Sequence, residues 1–318
     1  MIHTAQFYSY LNKEEIETIQ NRYHEEVNLV SEKINNIYKE KGITTTFYRS
    51  YGVDYISLEI DFIKLLNKSD IVEDDYAKIH EKIKQFLIDM IGYEIELYMI
   101  RLDYRLDIEV KNKVDRQFLI DVLNKSISKY RFQKKYNKYK TCKYFNCKSI
   151  QFKIYDKEQE RICKGKSIEK YEENVLRLEI ALRNRHLNYK KYIGRKKELK
   201  SYLNNSLYIK YFRDMLENII YTSDFMKIYK ADKILLESGI KEKEKTIVRE
   251  FLIDVSKRMN MDQVLSMTDK KGNIKYTKYK YKKIIGILEK LDINPILIPK
   301  NLKGASSIIK NPLKYLEE

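Results

Sequence analysis

The chain has no tryptophan, only three prolines and nine glycines, and just three cysteines among 318 residues. Cys142, Cys147 and Cys163 are odd in number and form no Cys-x-x-Cys pair, and His3, His24, His80 and His186 are scattered. Neither a disulfide framework nor a zinc site is supported. No apolar run is long enough to span a bilayer, and the opening Met1-Ile2-His3-Thr4-Ala5-Gln6 shows neither a basic n-region nor an apolar h-region. A cytoplasmic chain without a membrane partner is expected. No repeat and no Pro/Gly-rich linker marks a domain border.

What the chain has in excess is basic charge: 63 Lys and Arg against 46 Asp and Glu, a formal net charge of +17. Polyanions are the usual partners of such a field, so nucleic acid is the first hypothesis. The alternative source of this composition is an AT-rich coding bias, which the 28 tyrosines and the missing tryptophan fit. It enriches Glu as well as Lys, so it does not account for the imbalance. A hydrophobic content of 43% is enough for a packed core, and the length allows two domains.

The pattern begins with a strand at about residues 2–10. Asn12 and Glu15 are placed as a capping box for a helix whose apolar face is Ile16, Ile19, Tyr23, Val27, Val30, Ile34 and Ile37, ended by Gly42. His24 sits beside that stripe as a boundary residue. A hairpin around Gly52 joins strands 44–51 and 54–63, and a helix over 74–91 stops at Gly92. A strand over 94–110 follows, alternating strictly from Ile100. Ile100, Leu102, Tyr104, Leu106 and Ile108 face the core, while Arg101, Asp103, Arg105 and Asp107 face away. Asp103 and Asp107 share a face about 13 Å apart on a straight strand, too far to hold one ion together unless the strand twists or bulges.

A helix is expected over 114–130. Residues 129–148 then hold eight basic residues, no acid, and six interleaved aromatics. Basic groups track phosphates and aromatic rings stack on unpaired bases, so this segment, with Lys134, Lys135, Lys138 and Lys140, suits single-stranded nucleic acid. A solvated loop over packed tyrosines is the alternative. From Lys196 the composition turns helical, through 196–203, 208–220 and 225–236. Helices over 242–259, 262–267 and 277–291 follow, with 293–298 as a wing strand. That outlines a helix-turn-helix or winged-helix unit whose last helix offers Thr277, Lys278, Lys280, Lys282 and Lys283 to DNA. A bundle with a solvated basic face is the alternative.

Residues 149–157 and 175–182 read as two strands. Ile150, Phe152 and Ile154 point to a core, and Gln151, Lys153, Tyr155 and Lys157 point the other way. In the second strand Arg177 and Glu179 lie on the non-core face. A tyrosine among lysines, with acids on neighbouring strands, suits phosphoryl transfer. Tyrosinate attacks a DNA phosphate, carboxylates hold a hard cation such as Mg²⁺ or Mn²⁺, and Lys or Arg stabilises the transition state. Lys153 and Lys157 favour ionised Tyr155 by proximity.

Four segments, Ile100–Asp107 (IRLDYRLD), Lys143–Asn146 (KYFN), Phe152–Arg161 (FKIYDKEQER) and Leu176–Leu182 (LRLEIAL), resemble in order and spacing the rolling-circle replication initiators of Gram-positive plasmids and their phage and plasmid relatives. The likeness covers about residues 98–190 and is weaker in the carboxy-terminal helices. Asn146 stands where that family usually has Gly, and Val175 near a position often held by an aromatic residue. The resemblance implies that Tyr155 nicks one strand and keeps a 5′-phosphotyrosyl link. By the same likeness Asp103, Asp107 and Glu179 are candidate metal ligands, Lys157 and Arg177 phosphate contacts, and Glu160 an orienting or water-activating residue. The missing His-hydrophobe-His motif excludes the histidine-metal class of nickases.

The expected fold is α+β: an antiparallel sheet with flanking helices, then a mostly helical carboxy-terminal helix-turn-helix or winged-helix part. Residues 1–190 form the nicking-joining domain, 191–240 a helical connector and 241–318 the DNA-recognition domain. The expected function is to bind a double-stranded origin, nick it, hold the nicked single strand and religate at termination. A homodimer is compatible with this reading, and the family implies a host helicase as partner. The alternatives are a non-enzymatic sequence-specific DNA-binding regulator and an RNA-binding module built on residues 129–148.

Overall fold

A computed structural model of the chain describes residues 1–123, 133–134, 141–258 and 261–317. β1 (Ile2–Leu11) leads to Asn12, whose side chain accepts the Glu15 N–H at 2.9 Å while the Glu15 carboxylate takes the Asn12 N–H at 2.6 Å. The capping box therefore starts α1 (Lys13–Tyr23) as the sequence indicates. The single helix expected up to Gly42 is instead two. His24 turns left-handed with φ of 50°, ending α1, and α2 (Val27–Tyr38) restarts after it. The polar run His24-Glu25-Glu26 interrupts the apolar stripe at that point.

β2 (Ile43–Ser50) and β3 (Val53–Asp61) form the expected hairpin, with positive φ at both Tyr51 and Gly52, as a two-residue I′ turn requires. Asp61 then caps a short helix that the pattern did not announce, α3 (Phe62–Leu66). α4 (Tyr76–Ile91) ends at a left-handed Gly92. β4 (Tyr98–Glu109) and α5 (Lys113–Val122) follow. Next come β5 (Gln133–Lys134), β6 (Cys142–Asn146), β7 (Ile150–Asp156), α6 (Lys157–Cys163) and β8 (Val175–Arg183). The strand order is β2-β3-β1-β4-β8-β7-β6, with the two-residue β5 beyond β6, and the β2/β3, β3/β1 and β1/β4 ladders are antiparallel.

The remainder is mostly helical: α7 (Asn184–Tyr192), α8 (Leu199–Tyr202), α9 (Asn205–Leu216), β9 (Phe225–Met226), α10 (Ile228–Glu237), α11 (Glu242–Lys257), α12 (Met261–Leu265), α13 (Lys278–Lys290) and β10 (Ile308–Ile309). The helix expected over 225–236 starts three residues late, because Phe225 and Met226 pair with β10. Residues 293–298, expected as a wing strand, are buried coil. Only Ile298 bridges, to Lys227.

The chain divides into two compact units. One comprises Met1–Leu106, Phe145–Lys153 and Leu178–Lys210, the other Asp107–Tyr144, Ile154–Arg177 and Tyr211–Glu318. β4, β6, β7 and β8 each contribute residues to both. In the first unit the core face is built by Ala5, Phe7, Ile56, Leu58, Ile60 and Leu102, all buried.

Two departures from strict alternation shape the first unit's strands. Along β1 and β4, Ile2 pairs with Tyr104 but Thr4 with Asp103, so His3 is an extra residue in β1. Gln6 pairs with Arg101 but Phe7 with Met99, so Ile100 is an extra residue in β4. The expected inward role of Ile100 passes to the fully buried Met99, while Ile100 is half-buried. β8 departs differently: Val175 to Leu182 are all buried, on both faces. Its supposed non-core face, with Arg177 and Glu179, is also inside.

Candidate active site

In the first unit the bulge at His3 does the positioning. An extra residue re-aims its neighbours, so His3 and Thr4 are both half-buried where alternation would bury one of them. Thr4 Oγ1 donates to Asp103 Oδ2 at 2.9 Å. Arg101 clamps the same carboxylate bidentately, Nε and Nη2 each at 2.8 Å. Burial works against the Arg101 charge, but Asp103 outweighs it and raises the guanidinium pKa. Beside Thr4 in sequence, His3 places Nδ1 3.9 Å from Glu179 Oε1, and Lys153 Nζ bonds Glu179 Oε2 at 2.8 Å. Asp103 and Glu179 are each 5% exposed. Two buried carboxylates on β4 and β8 are thus each matched by basic groups, Asp103 by Arg101 and Glu179 by Lys153 and His3, as burial of charge demands.

In the second unit the site is a strand-to-helix junction. β7 ends at Asp156, whose side chain accepts the Gln159 N–H at 3.1 Å and caps α6. Asp156 is itself held by the buried Arg116, at 2.9 Å to Nε. The strand expected to reach Lys157 therefore stops one residue earlier, and Lys157 opens the helix. Its ammonium lies 5.9 Å from the Tyr155 ring centroid. Lys157 Nζ also reaches Glu160 Oε2 at 2.8 Å and Glu172 Oε1 at 3.4 Å. Arg161 grips Glu172 with Nε at 2.5 Å and Nη2 at 2.8 Å, and Lys164 pairs with Glu160.

Burial pushes Glu172 up, yet the Arg161 hydrogen bond and the Lys157 and Arg161 charges overcome it and hold its pKa below the ordinary glutamate range. Glu160 is lowered in the same way, its burial outweighed by Lys157 and Lys164. Tyr155 is 8% exposed, Lys157 7% and Arg177 1%. Arg177, expected as a phosphate contact, directs Nε and Nη2 to Asp107 at 2.7 and 2.8 Å.

The expected residues therefore fall into two sets. Asp103, Lys153 and Glu179 belong to the first unit, and Asp107, Tyr155, Lys157, Glu160 and Arg177 to the second. His3, Thr4 and Arg101 join the first set, and Asp156, Arg161 and Glu172 the second. Sequence reasoning gave none of these a role. Asp156 alone had a local signal, an Asp three residues before Gln159 at a helix start. Arg101 pairs with Asp103 only two residues on, whereas the partners of His3, Thr4, Arg161 and Glu172 lie eleven or more residues away.

The donors on Asp103 and Glu179 are hard oxygens of the kind that Mg²⁺ or Mn²⁺ takes. Each carboxylate is already paired, Asp103 with Arg101 and Glu179 with Lys153, so either would have to give up that pairing to hold an ion. Among the described residues, no three or more His, Cys, Asp or Glu side chains gather as a metal-holding group.

For the nucleic-acid contacts, Lys135, Lys138 and Lys140 lie outside the described residues, as does most of the basic and aromatic segment 129–140, and Lys134 falls in β5. Thr277 caps α13, accepting the Lys280 N–H. Lys278 and Lys282 are exposed. Lys280 instead folds over the Tyr276 ring, 5.2 Å from its centroid, and Lys283 pairs with Glu244 at 2.6 Å. Among the described residues no helix is long and apolar enough to cross a membrane. No protein-family model matches the chain, and no curated protein matches it either.

Proposed function

We propose that the chain is a cytoplasmic rolling-circle replication initiator, a nicking-closing DNA strand transferase with Tyr155 as nucleophile. The observation that carries this reading is the β7–α6 junction, where Lys157 lies over the Tyr155 ring and is itself held by Glu160 and Glu172. An ammonium beside the tyrosine ring is suited to meet the charge of a phosphoryl group under transfer, and the two carboxylates fix where that ammonium sits.

In the proposed step Tyr155 gives up its phenolic proton, its Oη forms a bond to a backbone phosphorus, and the P–O3′ bond breaks. The departing 3′ oxygen takes up a proton, and the 5′ phosphate stays on the tyrosine. Religation is the reverse. Lys157 stabilises charge on the phosphoryl oxygens, and Glu172 acts through Lys157 as a positioning residue. Within the first unit, Asp103 and Glu179 would be the residues to hold a divalent ion, and the chemistry that it would supply is that of a Lewis acid. Double-stranded origin DNA is the proposed substrate, with Lys278 and Lys282 of α13 as its contacts.

One observation favours a second reading. Tyr155 is 8% exposed, which suits a packed strand tyrosine in a non-enzymatic DNA-binding regulator. Incubation with supercoiled origin plasmid and Mg²⁺ or Mn²⁺ separates the two. The initiator yields open circle with protein covalently attached, and Tyr155→Phe abolishes both products. Nicking and adduct formation that survive Tyr155→Phe would remove the assignment.

A further inference from the structure

The first unit's sheet has a second face, opposite the buried one, and its outward positions on four strands carry tyrosines in register. Tyr48 of β2 pairs with Tyr55 of β3, Tyr55 with Tyr10 of β1, and Tyr8 of β1 with Tyr98 of β4. The Tyr48 and Tyr55 rings are stacked, 3° apart with centroids at 5.1 Å. Tyr10 lies 5.1 Å from Tyr55 and 5.5 Å from Tyr8, which lies 5.5 Å from Tyr98. Tyr10 is 50% and Tyr48 42% exposed. Four strands at about 4.8 Å spacing give a row about 14 Å long.

Cross-strand aromatic pairs stabilise a sheet modestly, but that role does not require rings half open to water. Thr46, Ser57 and Gln6 occupy the adjacent outward positions on β2, β3 and β1, so the row is aromatic with polar surroundings. Such a surface suits flat, polar-edged rings better than aliphatic side chains. It also continues into the carboxylate site. Tyr8, Gln6 and Thr4 share the outward side of β1, and their β4 partners are Tyr98, Arg101 and Asp103.

We propose that this tyrosine row is a stacking platform for the unpaired bases of the single-stranded DNA that nicking releases. The proposal rests on the nicking reading only for the identity of the strand. A four-stranded sheet with aromatics on its open face accommodates two or three stacked bases. The chain's charge of +17 suits a polyanion, while Glu59 on the same face, bonded by Gln6 at 2.7 Å, leaves phosphate attraction to other parts of the chain. The platform's share of affinity is therefore stacking, and it is insensitive to salt.

The test is fluorescence anisotropy of the full chain with a 5′-fluorescein 12-mer, single-stranded or duplex, at two salt concentrations. Tyr10→Leu and Tyr48→Leu are expected to weaken single-strand binding about 5- to 100-fold with an unchanged salt slope, and to leave duplex binding alone. Tyr10→Phe and Tyr48→Phe are expected to bind as the unaltered chain does. Unchanged single-strand affinity in both Leu variants, or an equal loss on duplex, would overturn the proposal. If a Leu variant fails to fold by circular dichroism, 5-iodouracil cross-linking to the unaltered chain decides. Adducts on these five tyrosines support the platform, and adducts confined to other residues refute it. Failure of the nicking reading shows separately, as an absent covalent adduct, and does not alter the anisotropy result.

Discussion

Arg177 grips both carboxylate oxygens of Asp107 in the fork geometry that suits a guanidinium, from a position 1% exposed. Removing one partner of such a pair strands the other charge. Asp107→Asn is expected to cost about 3–5 kcal/mol in urea unfolding. The double replacement Arg177→Met with Asp107→Leu is expected to recover most of that loss. A loss under about 1 kcal/mol for Asp107→Asn would show that the pair behaves like an exposed surface bridge.

Glu172 sets an acid limit. Its folded pKa lies below its unfolded value because Arg161 and Lys157 outweigh its burial. Its contribution is therefore complete above the unfolded pKa, about 4.3, and is lost as pH falls through the lower folded pKa. Glu172→Gln is expected to cost about 1.5–3 kcal/mol at pH 7 and to flatten the decline of melting temperature below about pH 4.3. A variant whose acid decline matches that of the unaltered chain contradicts this role.

The two glycines that flank β2 make a graded pair. Gly52 has φ of 78° and open space around an added Cβ, so Gly52→Ala meets backbone strain alone, about 1–2 kcal/mol. At Gly42, with φ of 89°, a Cβ would stand 2.5 Å from the Asp61 carbonyl oxygen and 2.7 Å from the Leu65 nitrogen. Gly42→Ala is expected to cost at least about 3 kcal/mol. Equal melting temperatures for the two variants would refute the close approach.

The proposed metal has its own signature. Plasmid nicking is expected to stop in EDTA and return with Mg²⁺ or Mn²⁺. Asp103→Asn and Glu179→Gln are each expected to lower the nicking rate about 100-fold or more while origin binding holds. Undiminished nicking in EDTA rules the metal out.

Local chemistry was legible in the sequence. The Asn12–Glu15 box, the hairpin around Gly52 and the stop at Gly92 depend on neighbours within a few residues, and the structure has all three. The α+β class and the inward set Ile56, Leu58 and Ile60 of β3 followed for the same reason, whereas Asp103 and Arg105 of β4, expected to face away, are buried. What the sequence did not carry depends on distant partners. The bulge at His3 exists only against β4, and Arg161 finds Glu172 across an eleven-residue separation. The burial of β8 on both faces was hidden because Arg177 and Glu179 look solvent-facing until Asp107 and Lys153 are seen beside them. The break at His24 was misread because a continuous apolar stripe outweighed three polar residues.

The interleaving of the two units has a consequence for how the chain can be made. The first unit is incomplete until Lys210 has been synthesised, and by then the second, which begins at Asp107, has been under way for about a hundred residues. No single cut yields either unit whole, and a ribosome releasing the chain from its amino terminus cannot finish one before starting the other. Contacts of such long sequence separation slow folding, so a stalled or truncated product exposes unfinished strands of both units.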